Sequence, residues 1–154
     1  MQVHSLELAN EYKLIGIHTS VEDYKLAYLI NQNLNAGFSK YKEYLDFSKK
    51  NGSFSVFEFI DDKNQLINHL ISNKYIGSVS QVSETNLFSE EGSYSTMSYL
   101  IPEKKKVDFF LKVEGEISHI EFNKTIDKLN HIDQIITTYS INPTQLKSKD
   151  FLIF

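Results

Sequence analysis

The sequence predicts a single α+β domain, a mostly antiparallel sheet carrying two helices. Three observations predict it. Segments with period-two alternation recur, most plainly in Val107-Asp108-Phe109-Phe110-Leu111-Lys112-Val113, where Val107, Phe109, Leu111 and Val113 make one fully apolar face. Two other segments place apolar residues at helical spacing: Leu26, Ala27, Ile30 and Leu34, and later Ile120, Phe122, Ile126 and Leu129. Finally, 154 residues with 41% hydrophobic and 13% aromatic content suit one domain, and such a domain buries about 70% of its unfolded surface.

Taken in order, Leu6, Leu8 and Ala9 suggest a weak first strand, and Tyr12 to His18 a better one. Its run Leu14-Ile15-Gly16-Ile17 reads as covered on both faces, with Gly16 allowing close approach of a helix. Thr19 and Ser20, each followed three residues on by Glu22 or Asp23, fit a capping box for the first helix, and Gly37 is placed to stop it. Phe38 to Phe47 reads as a strand, Lys49-Lys50-Asn51-Gly52 as a turn and Phe54 to Ile60 as a strand. Asp61 to Asn64 turns the chain, and Leu66 to Ser72 returns it in a β-meander. The Ser- and Glu-rich interval 77–93 lacks apolar content and reads as a mobile polar loop.

Tyr94 to Ile101 and Val107 to Val113 then form two strand-like arms around Pro102 to Lys106. Pro102 fixes φ and has no N–H to give a ladder, so a hairpin turning at Pro102 to Lys106 is expected. The second helix ends near His131, Ile135 to Ile141 makes a strand, and Asn142-Pro143 turns it. The apolar end, Phe151-Leu152-Ile153-Phe154, should pack into the core or join a sheet edge. The predicted order is β-α-β-β-β, a loop, then β-β-α-β, with room for ferredoxin-like βαβ units.

The run Ile101-Pro102-Glu103, then Lys104-Lys105-Lys106, then Val107-Asp108-Phe109, resembles the signature of the IPExxxVDY family of small bacterial proteins. Phe109 stands where the family name has Tyr. Tyr139-Ser140-Ile141, Leu146-Lys147-Ser148-Lys149-Asp150 and Asp23 to Leu29 are similar to that family as well, so the resemblance spans nearly the whole chain. It implies bacterial origin and identity with the family, and no activity, substrate or cofactor.

Charge and composition exclude several classes. Net charge is −4, and all 16 basic residues are lysine, so bidentate guanidinium contacts to phosphate or guanine cannot form. With no cysteine there are no disulfides, thiolate metal sites or cysteine nucleophiles. No apolar run reaches the roughly 20 residues of a membrane span, and Met1 to Glu7 has neither a basic nor an apolar leader region, so a cytoplasmic protein is expected. Phe110 and Tyr139 could stack bases on a sheet face, yet acidic charge and missing arginine favour core packing.

No phosphate-cradling glycine motif or nucleophile elbow occurs, and His4, His18, His69, His119 and His131 show no metal-ligand spacing, so no cofactor or metal is expected. Asp61 and Asp62 read as a solvated turn. What remains are candidate partner or ligand contacts: Glu103, Lys104, Lys105, Lys106 and Asp108 in the central stretch. Asn73 and Lys74 can meet that lysine-rich tip from the end of their strand, and Lys147 and Lys149 join through the resemblance. Absence of catalytic groupings favours a non-enzymatic cytoplasmic adaptor or regulatory module binding a protein partner, with neither nucleic acid nor membrane as partner. A small-metabolite sensor, with the ligand enclosed at a homodimer interface, is the alternative. An enzyme using Glu103, Asp108 and Lys106 ranks third, because exposed side chains at a turn keep ordinary pKa values.

Overall fold

Four consecutive apolar residues demand cover on both sides, and strand β1 (Tyr12–Thr19) receives it, with Leu14, Ile15 and Ile17 wholly buried. The computed structural model describes residues 11–41, 45–46, 53–80 and 93–154. Helix α1 (Asp23–Leu34) follows, then short strands β2 (Ser39–Lys40), β3 (Leu45–Asp46) and β4 (Ser53–Phe54). Strands β5 (Val56–Asp61), β6 (Leu66–Ser72), β7 (Lys74–Ser80), β8 (Ser93–Tyr99) and β9 (Phe109–Glu114) lead to helix α2 (His119–Asn130) and strand β10 (Ile135–Ile141). The α+β class, the two helices and the mostly antiparallel sheet are as the sequence predicts.

Among the described residues, one antiparallel sheet runs in the order β10-β1-β9-β6-β5-β2, and β7-β8 and β3-β4 form separate pairs. The helices cover one face of the large sheet. Leu26 and Ile30 of α1 and Phe122 and Leu129 of α2 pack there on Ile15, Ile17, Leu70, Phe109 and Leu111. The opposite face, bearing Leu14, Val56, Ile71, Phe110 and Ile141, is covered by irregular chain instead, through Leu100, Ile101, Val107, Leu146 and Leu152. Each fully buried aliphatic or phenylalanine side chain in these layers contributes about 1.5–3 kcal/mol.

Several local expectations change. Helix α1 begins at Asp23 with Glu22 in the cap position and no side-chain cap bond, so Thr19 and Ser20 lie too far upstream to cap it. Thr19 Oγ1 instead donates to Gln134 O (2.7 Å), just ahead of β10, and accepts from Val21 N (3.3 Å). The helix stops at Asn35 in the left-handed region (φ 53°), ahead of Gly37. The cap that does form is at α2, where Ser118 Oγ accepts from Glu121 N (3.1 Å). Gly16 meets no helix: a Cβ there would lie 2.7 Å from Ile141 Cδ1 and 3.4 Å from Val107 Cγ2, so the close approach is that of β10 and the 100–108 loop. Phe38 to Phe47 holds β2 and β3 and not one strand, and Gly77–Ser80 and Ser93 of the expected polar loop stand in β7 and β8. Residues 1–10, the turn at 49–52 and residues 81–92 of that loop lie outside the described residues.

The expected hairpin at Pro102 does not form. Strand β8 pairs with β7 from Lys74↔Tyr99 to Ser80↔Ser93, whereas β9 pairs with β1 and β6. Strands β6 and β7 are one path bent at Asn73, and β8 and β9 lie end to end along it, since Ser72 faces Phe109 and Lys74 faces Tyr99. Residues 100–108 are therefore a long insertion in one strand line, opposite the single residue Asn73. Period-two alternation continues on both sides of such an insertion, which is why it reads as a hairpin in sequence. Val107 consequently leaves the face shared by Phe109, Leu111 and Val113 and joins the other core.

Candidate functional site

A nine-residue insertion carries backbone groups that no ladder can satisfy, so the fold must supply partners from elsewhere. Asn73 supplies them. Its side chain is wholly buried; Oδ1 accepts from Ile101 N (2.7 Å), and Nδ2 donates to Lys104 O (2.8 Å) and Val107 O (2.9 Å). Its backbone closes the loop's mouth, accepting from Leu100 N (2.9 Å) and donating to Asp108 O (3.0 Å). Inside the loop a 3-10 turn, Pro102–Lys104, begins at the proline that spares it an unpaired N–H.

Asp108 seals the other side. Its Oδ2 accepts from Thr19 N (2.9 Å), and its Oδ1 takes an ion pair from Lys74 Nζ (2.6 Å). Glu103 reaches the C-terminal turns: Oε2 accepts from Ser148 N (2.7 Å) and Oε1 from Ser148 Oγ (3.0 Å). Ser148 precedes another 3-10 turn, Lys149–Leu152, so a carboxylate 45 positions away holds the residue from which that turn starts. Partial burial acts to push the Glu103 carboxyl up, but the donors from its own backbone, Ser148 and Lys147 outweigh it and hold the group below the ordinary carboxylate range.

All nine sequence candidates thus meet in one region, in two roles. Asn73, Lys74 and Asp108 fasten the loop from within. Lys104, Lys105 and Lys106 are displayed by it, and Glu103 draws Lys147 and Lys149 alongside through Ser148. Among the described residues, no carboxylate lies in salt-bridge range of any of these five lysines; Lys105 Nζ rests 5.9 Å from the centre of the Tyr99 ring. Two shallow depressions of about 350 and 400 Å³ flank Glu103 and Lys104 and share Tyr139, whose hydroxyl lies 2.8 Å from His18 Nε2. Phe110, once a candidate stacking ring, is fully buried. Glu103, Asp108 and Lys106 share the loop but not a purpose: the first two are engaged by separate partners, and Lys106 faces water.

A second polar group on the same sheet face escapes sequence reasoning. Glu58, His69 and Lys112 stand in one cross-strand row, with Glu114 two residues along from Lys112. Lys112 is 2% exposed; its Nζ is 2.7 Å from Glu114 Oε1 and lies over the Phe154 ring (4.2 Å) and the Tyr12 ring (5.1 Å). Burial pulls this ammonium's pKa down, and Glu114 opposes the shift. His69 Nε2 is 2.9 Å from Glu58 Oε2, so Nε2 carries the proton and the buried Nδ1 keeps a lone pair with no partner. Burial is also the main cause lowering the His69 pKa, with Lys112 adding to it and Glu58 and Glu114 opposing. The one signal in the sequence is that Lys112 shares its strand face with Phe110, a large apolar ring two residues away that calls for cover.

Among the described residues, no three His, Asp or Glu side chains gather as a metal site, and no helix is long and apolar enough to cross a membrane. Compared with known proteins, the chain matches no family model, no curated protein and no solved structure.

Proposed function

We propose that this chain is a non-enzymatic binding module of the IPExxxVDY family, a bacterial cytoplasmic adaptor whose lysine-bearing loop docks an acidic segment of a partner protein. The observation that carries the reading is the gathering of Lys104, Lys105, Lys106, Lys147 and Lys149 around a Glu103 already engaged by Ser148. Only Glu103 and Asp150 offset them on the same two turns. Exposed lysines ordinarily lose entropy on binding, but a loop fastened by Asn73 presents them with its backbone already ordered. Charge complementarity of this kind acts on association rate and partner choice more than on affinity, so the interaction should weaken with salt.

Capture from lysate of the native host tests it, using the wild-type chain beside a K105E/K106E variant. One or more acidic partners should be retained by the wild type at low ionic strength and lost by the variant, whose melting temperature stays unchanged. A partner held equally by both proteins would refute the lysine surface, and no enriched partner would refute the adaptor reading itself.

A further inference from the structure

A cavity of about 420 Å³ opens on the helix face of the large sheet, at the end away from the lysine loop's turns, between α2, the end of α1 and strands β5, β6 and β9. Its size falls in the range of about 300–1,000 Å³ usual for small-molecule pockets. The floor is apolar, formed mainly by Phe59, Leu66, Leu111 and Val113. One residue breaks it. Asn68 stands in register between Phe59 and Val113, where an apolar side chain would continue the core. Its Nδ2 donates a long bond to Phe59 O (3.3 Å), and among the described residues its Oδ1 has no partner. Asn68 is half-buried and its carbonyl is open to the cavity, so a ligand's donor can take the place of water there.

The rim repeats that preference. Asp61, Glu116 and Glu121 line the mouth, against Lys128 alone. Part of this charge is engaged locally, since Asp61 accepts from Asn64 and Glu121 lies 3.5 Å from Lys124. The remaining field still favours a cation and disfavours an anion. We propose that the cavity binds a small amphipathic amine, its apolar body on Phe59, Leu66 and Val113 and its ammonium between the Asn68 carbonyl and the acidic rim. The site lies on the face of the sheet opposite Lys112 and does not rest on the adaptor reading.

The experiment uses two probes with one apolar body, 4-phenylbutylamine and 4-phenylbutyrate, titrated into the full chain by calorimetry and by amide chemical-shift mapping. The amine should bind at least tenfold more tightly than the carboxylate, with shifts centred on residues 59–68 and 111–121. Asn68→Leu should weaken the amine about tenfold while leaving or raising the melting temperature, because it completes the apolar floor. K105E/K106E should bind the amine as the wild type does, which separates this site from the lysine surface. Equal binding of the two probes, tighter binding of the carboxylate, an unaffected Asn68→Leu variant, or no binding of the amine at millimolar concentration would each overturn the proposal.

Discussion

The same sheet face buries two polar groups by opposite means. Around Asn73 every member is neutral and every donor and acceptor of the side chain is matched. Around His69 and Lys112 the members are ionisable, one ring nitrogen is orphaned, and aromatic rings stand where hydrogen-bond partners would. The first arrangement costs little to desolvate and specifies one loop conformation. The second is costly to bury and holds only while each charge keeps its neighbour. A satisfied amide is a structural fastener; a buried ammonium is a conditional one.

The sharpest break is at Asn73. Asn73→Ala leaves Ile101 N and Val107 O without partners, while Lys104 O keeps the N–H of Val107 (3.0 Å). At about 1–3 kcal/mol for each unsatisfied group, a total loss of about 4 kcal/mol is expected by chemical denaturation. The variant should also release amide protection across residues 100–108. Asn73→Asp should do no better, because it keeps one acceptor, loses both donors and aims a carboxylate at two carbonyls.

Next is the Lys112–Glu114 pair. Glu114→Ala strands a buried ammonium and should cost about 3 kcal/mol. Lys112→Met removes the charge while keeping the unbranched stem, and should fall within about 1 kcal/mol of the wild type or exceed it. The double variant should then resemble Lys112→Met alone. Additive losses would mean that Lys112 stabilises the fold in its own right.

A third test is pH. The folded His69 prefers to be neutral and the unfolded ring takes up its proton from about 6.5, so the unfolded chain binds more protons as the solution is acidified. Stability contributed by this group is full above that value and is lost as pH falls towards the depressed folded pKa. Melting temperature should drop between pH 7.5 and 5.5, and His69→Phe should flatten that arm. An unchanged slope would place the titration elsewhere, since Asn73 offers no proton to lose.

The smallest effect belongs to Glu103. Its depressed pKa means stability present above the ordinary carboxylate value of 4.5 and lost as pH falls through the folded one. Glu103→Gln should cost about 1 kcal/mol or less, because the site is mostly solvated, and should loosen the 147–152 turns in hydrogen exchange.

The candidate site was half legible beforehand. Lys104 to Lys106 and their exposure follow from a charged run beside a proline. That Asn73 meets this loop was foreseeable as a contact but not as a complete set of hydrogen bonds, because one asparagine at the end of a strand looks like any other terminator. Lys112 escapes notice for a related reason: alternation sets it on a face shared with Asp108 and Glu114, and the rings of Phe154 and Tyr12 over it come from distant parts of the chain.

By itself the sequence determined the α+β class, the positions of α1 and α2, the strand at Ile135–Ile141, and the lysines' exposure, because these rest on periodicities and punctuation confined to about a dozen neighbouring residues. The tertiary structure alone decided that β8 and β9 lie end to end, that nine residues loop out opposite Asn73, and that Glu103 joins Ser148. Strand periodicity tells which way a side chain points and says nothing about which chain its backbone will pair with. That choice is made by hydrogen bonds between residues tens of positions apart, and no local pattern records them.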